Sequence, residues 1–304
     1  MVKRILIILS SLTLSIGLQA EESVSKGKSS SWKWEGQIAT LHIADSDLDT
    51  GGKTSINRTY ASLSASTRLN EQSRLGLSFG YGEGRYDFSG NGTLTGLDPW
   101  SRERQAAISA SVFYKIDDHW TAYGIPSLRL NAENSASMTD GFTAGLLTGA
   151  SYRFSETLTL GPGIGVFDEL EGDTSFIPIL IVDWKITENL SLETGRGFAA
   201  SRGPGLQLRW QPVEDWQFST GARYEKRRFR LDDKGTAPDG IGEYSAIPIY
   251  ISAQYEIDPS FSFVFIGGAD TNTNTRLENK NGNLLTESDG DNAPFFGASL
   301  ILRF

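Results

Sequence analysis

The chain has 304 residues, no cysteine, 11% aromatic residues and a formal net charge of −9. Without cysteine the fold is held by burial and hydrogen bonding, with no disulfide framework. The acidic balance excludes nucleic acid as a partner, because phosphate binding needs a clustered basic surface.

Residues 1–20 read as a targeting segment. Lys3 and Arg4 form a basic n-region, Ile5 to Leu18 an apolar h-region, and Leu18-Gln19-Ala20 a small-residue cleavage site before Glu21. No cysteine follows the h-region, so a lipid-anchored product is excluded. The mature chain carries 26 basic residues (28 less Lys3 and Arg4) against 37 acidic ones, a net charge of −11. Ser- and Lys-rich residues 21–31 are expected to form a flexible periplasmic tail, and 32–304 one folded unit.

That unit has no apolar run of the about 20 residues a membrane helix needs. The longest, Phe176–Val182, has seven residues and contains Pro178. Strict alternation dominates instead. In Arg58–Leu69, Thr59, Ala61, Leu63, Ala65, Thr67 and Leu69 oppose Arg58, Tyr60, Ser62, Ser64, Ser66 and Arg68. In Arg74–Gly82, Leu75, Leu77, Phe79 and Tyr81 oppose Gly76, Ser78, Gly80 and Gly82. Thr157–Phe167 repeats the pattern, with Leu158, Leu160, Pro162, Ile164 and Val166 on one face. Period two predicts half-buried strands. Runs of this length exceed the roughly 5–6 residues of ordinary strands and match the 9–11 that a tilted strand needs to cross a bilayer. The second face is small and polar. A soluble sandwich would turn its bulky face inward, whereas a barrel in lipid turns it outward and keeps the small face for its lumen.

One phrase recurs six times: "STRLNEQSRLGL" from Ser66, "YKIDDHWTA" from Tyr114, "YRFSETLTL" from Tyr152, "WKITENLSL" from Trp184, "WQPVEDWQF" from Trp210 and "YEIDPSFSF" from Tyr255. Each copy ends a strand, turns on Asp, Glu, Asn, Ser or Pro, and starts the next. The predicted hairpin turns are Asn70–Ser73, Asp117–His119, Ser155–Glu156, Thr187–Asn189, Pro212–Asp215 and Asp258–Ser260. Longer polar connections lie between them, at Ala44–Ser55, Ser89–Arg102, Glu133–Asp140, Asp168–Asp173, Phe198–Arg202, Arg230–Glu243 and Thr271–Asn292. Six short turns alternating with seven long loops connect fourteen strands. The predicted fold is all-β, an antiparallel up-and-down transmembrane barrel of about fourteen strands, within a range of roughly 12–16, with short turns and both termini on the periplasmic side.

The aromatics of the repeats, Tyr114, Trp120, Tyr152, Trp184, Trp210, Trp216, Tyr255 and Phe261, fall at strand ends. Amphipathic rings belong where hydrocarbon meets headgroups, so they form a predicted girdle. The chain ends "PFFGASLILRF", in which Phe296, Ala298, Leu300, Leu302 and Phe304 alternate. This strand resembles the insertion signal of bacterial outer-membrane β-barrel proteins. The resemblance implies that the barrel-assembly machinery reads Phe296, Leu300, Leu302 and above all the terminal Phe304. With the targeting segment and hairpins, the likeness to that porin-like superfamily spans the whole chain. "RFRLDDKGTAPDGIGE", Arg228–Glu243, is also similar to a segment in a family of outer-membrane barrels of unknown function, which implies no substrate.

By parity the lumen face carries Arg58, Arg68, Arg74, Lys115, Arg129, Arg153, Asp183, Lys185, Glu193, Arg209, Arg223 and Glu225, with Arg303 near the end. Charges are costly facing lipid and tolerable facing water. The pattern predicts a water-filled path with a charged constriction and a cationic inner mouth; the alternative is a salt-bridged, packed interior. Phe113, Ile125, Leu147, Phe167, Ile177 and Ile179 also fall inward and would suit an apolar solute. The two histidines, His42 and His119, lack a catalytic motif, and no enzyme is expected. "DSDLDTGG", Asp45–Gly52, alternates carboxylates, but its glycine comes one place late for a calcium loop and no Glu closes it, so neither metal nor cofactor is expected. The expected function is a porin-like channel for passive diffusion of small solutes. A selective transporter of small hydrophobic molecules, or a barrel with only a structural or surface-interaction role, is the alternative. The expected setting is the outer membrane of a Gram-negative bacterium, as a monomer. The expected partners are membrane lipid, lipopolysaccharide, the assembly machinery and small solutes.

Overall fold

A computed structural model describes residues 31–194 and 205–304. The targeting segment 1–20, residues 21–30 of the tail and the loop expected at Phe198–Arg202 lie outside the described residues. The first strands are β1 (Lys33–Asp47), β2 (Lys53–Arg68), β3 (Ser73–Ser89), β4 (Arg102–Lys115) and β5 (Trp120–Glu133). β6 (Phe142–Arg153), β7 (Leu158–Phe167), β8 (Ser175–Lys185), β9 (Leu190–Thr194) and β10 (Gly205–Val213) follow. The rest are β11 (Trp216–Arg223), β12 (Glu225–Arg230), β13 (Ile241–Asp258), β14 (Phe261–Glu278), β15 (Leu284–Gly290) and β16 (Ala293–Arg303).

Two pairs of these segments are single strands with a break. Against β13, Ala222 of β11 faces Ile249 and Glu225 of β12 faces Ala246, so the register runs through the break unchanged. Against β14, Thr273 faces Gly290 of β15 and Asp270 faces Ala293 of β16, again in one register. Counted by continuity there are fourteen strands, each antiparallel to its neighbour, and β1 pairs with β16 to close the barrel.

Alternation decides which face is which. Along β3, Leu77 and Phe79 point outward and are 46% and 55% exposed, while Ser78, Gly80, Gly82, Gly84 and Tyr86 are buried. Ile108, Leu128, Leu180, Ile251 and Phe265 continue the outward belt. Such a belt in water would be one contiguous aggregation surface; in a bilayer it is the face the hydrocarbon covers.

The six short turns sit at the predicted places, and in five of them a polar side chain accepts from the turn's own backbone, while at Pro212–Asp215 Gln211 Nε2 donates to the Glu214 carbonyl at 3.0 Å. Asn70 Oδ1 accepts from the backbone N–H groups of Gln72 and Ser73, and Asp117 Oδ1 from those of His119 and Trp120. Ser155, Thr187 and Asp258 accept from the N–H two residues on. These are the local side-chain turns that Asx and Ser/Thr residues favour. They explain why five of the six copies of the repeat carry such a residue at the turn.

At the opposite end the sequence reading needs correction. Thr271–Asn292, expected as a loop, is largely strand, because β14 runs to Glu278 and β15 returns from Leu284. Ala44–Ser55 shrinks to Leu48–Gly52, turned by Gly51 and Gly52 at φ of 91° and 79°. Beyond the bilayer a strand needs no apolar outer face, so hydropathy stops alternating while the backbone continues as a ladder.

Candidate functional site

The extracellular half of the lumen is filled. Ile43, Ile56, Tyr86, Leu94, Trp100, Phe229, Leu231, Tyr244 and Leu277 form a buried cluster inside the wall. Trp100 meets Phe229 edge-on with centroids 5.3 Å apart, and Tyr86 lies 5.8 Å from Trp100. The cluster is made by β12. Above Tyr224 this strand stays on β13 but crosses to the opposite wall, where Arg230 pairs with Ala132 of β5 in parallel and Asn131 Nδ2 donates to the Arg228 carbonyl. The outer end of the barrel is thereby narrowed by a strap carried on β13 and β14.

Ion pairs fix the strap. On one face Arg58 of β2 pairs with Glu225, and Arg227 pairs with both Glu225, at 3.1 Å, and Glu103 of β4. All four side chains are 3–7% exposed. Two cations and two anions balance inside a water-poor core, where an unpaired charge would be costly. Tyr244 Oη donates to Asp270 at 2.7 Å beside them. On the other face Arg228 pairs with Glu243 at 2.8 Å and with Glu278, and donates twice to the Leu170 carbonyl, at 3.0 and 2.8 Å. The β7–β8 connection is thus riveted to the strap, with Arg230–Glu171 at 2.6 Å as a second rivet.

A cavity of about 280 Å³ remains between this strap and the β5–β8 wall. Arg129, Asn131, Phe167, Ile177, Lys226 and Arg228 contribute to its lining. The Phe167 ring lies against the inner faces of Gly145 and Gly165, where any Cβ would collide with it. Tyr123 Oη occupies the same position over Gly149 and Gly163, and the Arg129 guanidinium stacks 4.7 Å over Phe167. The glycines of β6 and β7 thus form a flat floor on which two aromatic rings rest. Ile125 is buried, and Phe113, Leu147, Ile177 and Ile179 are half-buried, on the same inward parity.

The residues expected to line a path divide into four groups. Arg58, Arg223 and Glu225 are buried in the strap region, with Arg223 5.4 Å over the Tyr250 ring. Glu193 is buried lower down, accepting from Gln207 at 2.6 Å and pairing with Arg209 at 3.6 Å; Tyr250 Oη donates to Gln207 at 3.0 Å. Arg68, Arg153 and Lys185 are exposed near the periplasmic turns, and Arg74, Lys115 and Asp183 are half-exposed there; Lys115 pairs with Asp118 at 2.8 Å. Arg303 joins them, pairing with Glu35 and Glu256. Arg129 alone of the set reaches the cavity.

Sequence reading missed Glu103, Lys226, Arg227, Arg228, Glu243 and Glu278. The signal was present in "EKRRFR", whose charges occupy both faces of a strand and so forbid a lipid contact on either. Of the histidines, His42 bonds Asn57 at 2.8 Å and His119 stacks on Tyr152 with centroids 5.5 Å apart. In the acidic stretch, Asp47 pairs with Lys53 at 3.1 Å and Asp49 accepts from Ser288 at 2.6 Å.

The girdle residues all sit at the periplasmic strand ends. Trp120 packs on Tyr152 with centroids 5.0 Å apart, and Trp216 on Tyr255 at 4.9 Å. Tyr114, Trp184 and Trp210 are 42–50% exposed, and Phe261 packs on Phe263. Phe296, Leu302 and Phe304 are exposed, Leu300 half-exposed, and the Phe304 backbone is bonded both ways to Trp34.

No protein-family model matches the sequence, and no characterised protein matches it either. Solved structures do. The outer membrane channel from Pseudomonas putida F1 matches 93% of this chain and 100% of its own, at 13% identity and a TM-score of 0.51. A FadL homologue from Pseudomonas aeruginosa matches 89% of both chains at 11% identity and a TM-score of 0.48. The toluene transporter TodX of P. putida matches 90% of both at 11% and 0.45. The first likeness, with the closed fourteen-stranded ladder and its apolar outer belt, gives this chain the antiparallel up-and-down β-barrel fold that this outer-membrane channel has.

Proposed function

We propose that the protein is an outer-membrane channel for passive diffusion of small solutes, exported by residues 1–20 and working as a monomer. The observation that carries this reading is the division of the lumen. One side is packed solid behind the strap, while the β5–β8 side retains the cavity. A barrel with only a structural role would gain stability by filling that space too. His42 bonds Asn57 and His119 stacks on Tyr152.

Planar-bilayer recording and liposome swelling with the folded full-length protein test this. The expected result is stable current steps and uptake of small solutes; bilayers that stay silent together with liposomes that do not swell would reject the channel. The inward apolar set of Tyr123, Ile125, Phe167, Ile177 and Ile179 favours a second reading, a selective carrier of small hydrophobic molecules. Silence accompanied by a co-purified apolar ligand would select that one.

A further inference from the structure

We propose that the outer wall of β3 and β4, just above the lipid belt, binds the phosphorylated headgroup of an outer-leaflet lipid. The proposal goes beyond the channel reading and does not depend on it. The register stacks four outward rows on these two strands: Phe79 faces Ile108, Tyr81 faces Ala106, Glu83 faces Arg104, and Arg85 faces Arg102. Phe79 and Ile108 are both 55% exposed and belong to the face the hydrocarbon covers. Tyr81 follows at the level where an amphipathic ring meets headgroups. Rows are about 7 Å apart along a strand. With a strand tilt of about 40°, Arg104 stands about 5 Å and the Arg85–Arg102 pair about 10 Å above Tyr81. A headgroup layer is about 5–8 Å deep. The three guanidinium groups therefore begin inside that layer and reach its outer edge.

These cations lack anions. Arg85 is exposed and Arg102 half-buried, and among the described residues neither side chain has an ion-pair or hydrogen-bond partner. Arg104 is held by backbone, its Nη2 donating to the Glu133 and Ala136 carbonyls at 3.5 and 3.0 Å. Two carboxylates flank the group on the same face. Glu83 accepts from Tyr81 Oη at 3.0 Å, and Asp87 lies one row higher; neither forms an ion pair with the three arginines among the described residues. Other cations at this end of the barrel are answered: Lys53 by Asp47, Arg230 by Glu171, and Arg276 by Glu278 and Glu287.

Placing like charges directly opposite on neighbouring strands is destabilising, and Arg85 and Arg102 are such a pair. An anion set between them turns that repulsion into charge-assisted hydrogen bonds, and the planar guanidinium fork suits a phosphate in particular. Position selects a lipid as its carrier. A free phosphate gains the cations alone, whereas a lipid phosphate also lays its chains on Phe79 and Ile108 directly below. The chain as a whole is acidic, at −9, so this patch is a local departure from its charge and not part of a general basic surface.

The test is native mass spectrometry of the full-length protein, folded in neutral-detergent micelles and titrated with bisphosphorylated lipid A. Dephosphorylated lipid A is expected to bind about tenfold more weakly. Joint replacement Arg85→Ser and Arg102→Ser is expected to weaken lipid A about tenfold, whereas Arg68→Ser with Arg153→Ser, at the periplasmic end, leaves it unchanged. In micelles without lipid A the Arg85/Arg102 variant is expected to melt no lower than the parent, because a repelling pair has gone. Heat-dependent gel mobility confirms folding, and Arg102→Ser alone serves if the double variant does not fold. Equal affinity for the two forms of lipid A, or unchanged lipid A binding in the folded variant, overturns the site. Inorganic phosphate at the concentration of the lipid is expected to displace none of it; full displacement overturns the assignment to a lipid. Solute flux bears on the channel reading alone, since this site lies on the outer wall.

Discussion

Arg58 and Glu225 show what one residue decides in this lumen. Their side chains are 6% and 7% exposed, and Glu225 also serves Arg227. Together with Glu103 they form a four-membered, charge-neutral group held away from water. Assembling such a group is not in itself strongly stabilising, because desolvation opposes the attraction; removing one member is different, since it strands its partners. Glu225→Ala, which leaves Arg58 and Arg227 short of an anion, is therefore expected to lower the free energy of unfolding by about 3–5 kcal/mol. Denaturant titration in lipid vesicles measures it. A double replacement of Arg58 and Glu225 by leucine is expected to cost less than the single change, and a single loss below about 1 kcal/mol would show the strap to be held by packing alone. A periplasmic carboxylate gives the contrasting case. The backbone N–H groups of Trp120 and His119 hold Asp117 below its ordinary value. A depressed carboxylate contributes its stability above the ordinary value of 3.8 and loses it as the pH falls through the depressed one. In Asp117→Asn that part of the acid sensitivity is expected to vanish, read as a smaller difference in thermal midpoint between neutral pH and pH 3. The turn is solvated, so the change is small beside that of Glu225.

At the scale of the element, the recurring hairpin and the final strand were legible in the sequence and the strap was not. Each hairpin is local. An aromatic, an Asx or Ser/Thr residue that closes its own turn and an alternating run all lie within about a dozen residues, so the pattern carries the whole instruction. The strap has the same alternation from Trp216 through Arg230, unbroken at Tyr224. What diverts it is a partner about a hundred residues away, at Ala132, and periodicity contains no such information. Only the charges on both faces of Glu225–Arg230 mark the departure. The cavity was half legible. Parity put Arg129, Phe167 and Ile177 on the inner face, but their meeting with Lys226 and Arg228 depends on the diversion. The last strand gives an element-scale prediction. Phe304 is 73% exposed and its backbone is bonded to Trp34 across the closing seam, so its side chain adds little to the folded barrel. Its value then lies in assembly. Phe304→Ala, which keeps those backbone bonds, is expected to cut the folded yield in the outer membrane severalfold and to leave the stability of the protein refolded in micelles within about 1 kcal/mol. A normal yield in the membrane would end the proposed role of this residue as an insertion signal.

For the whole molecule, the two ends of the barrel are built on different rules. The outer end, from β1–β5 and β12–β15, is tall, narrow and neutralised internally, with its charges spent on one another. At the periplasmic end several cations, Arg68, Arg153 and Lys185, stand exposed near the turns. In the proposed channel, a solute that meets the cavity from above would leave past these groups, and one entering from below would meet them first. Charges at a wet mouth act through their field, which is screened over about 10 Å at 0.1 M salt, so they bias which ions enter more than how tightly anything binds. Replacing Arg68, Arg74 and Arg153 together by serine is therefore expected to move the reversal potential under a salt gradient toward cation preference. The shift should be largest at low salt and fade near 1 M, where screening falls to about 3 Å. Conductance should change less than selectivity, because the packed cluster that fills part of the lumen lies at the strap and not at the mouth. If selectivity at low salt is the same before and after the triple replacement, the periplasmic cations are paired or turned away from the path, and ion preference is set elsewhere along the lumen.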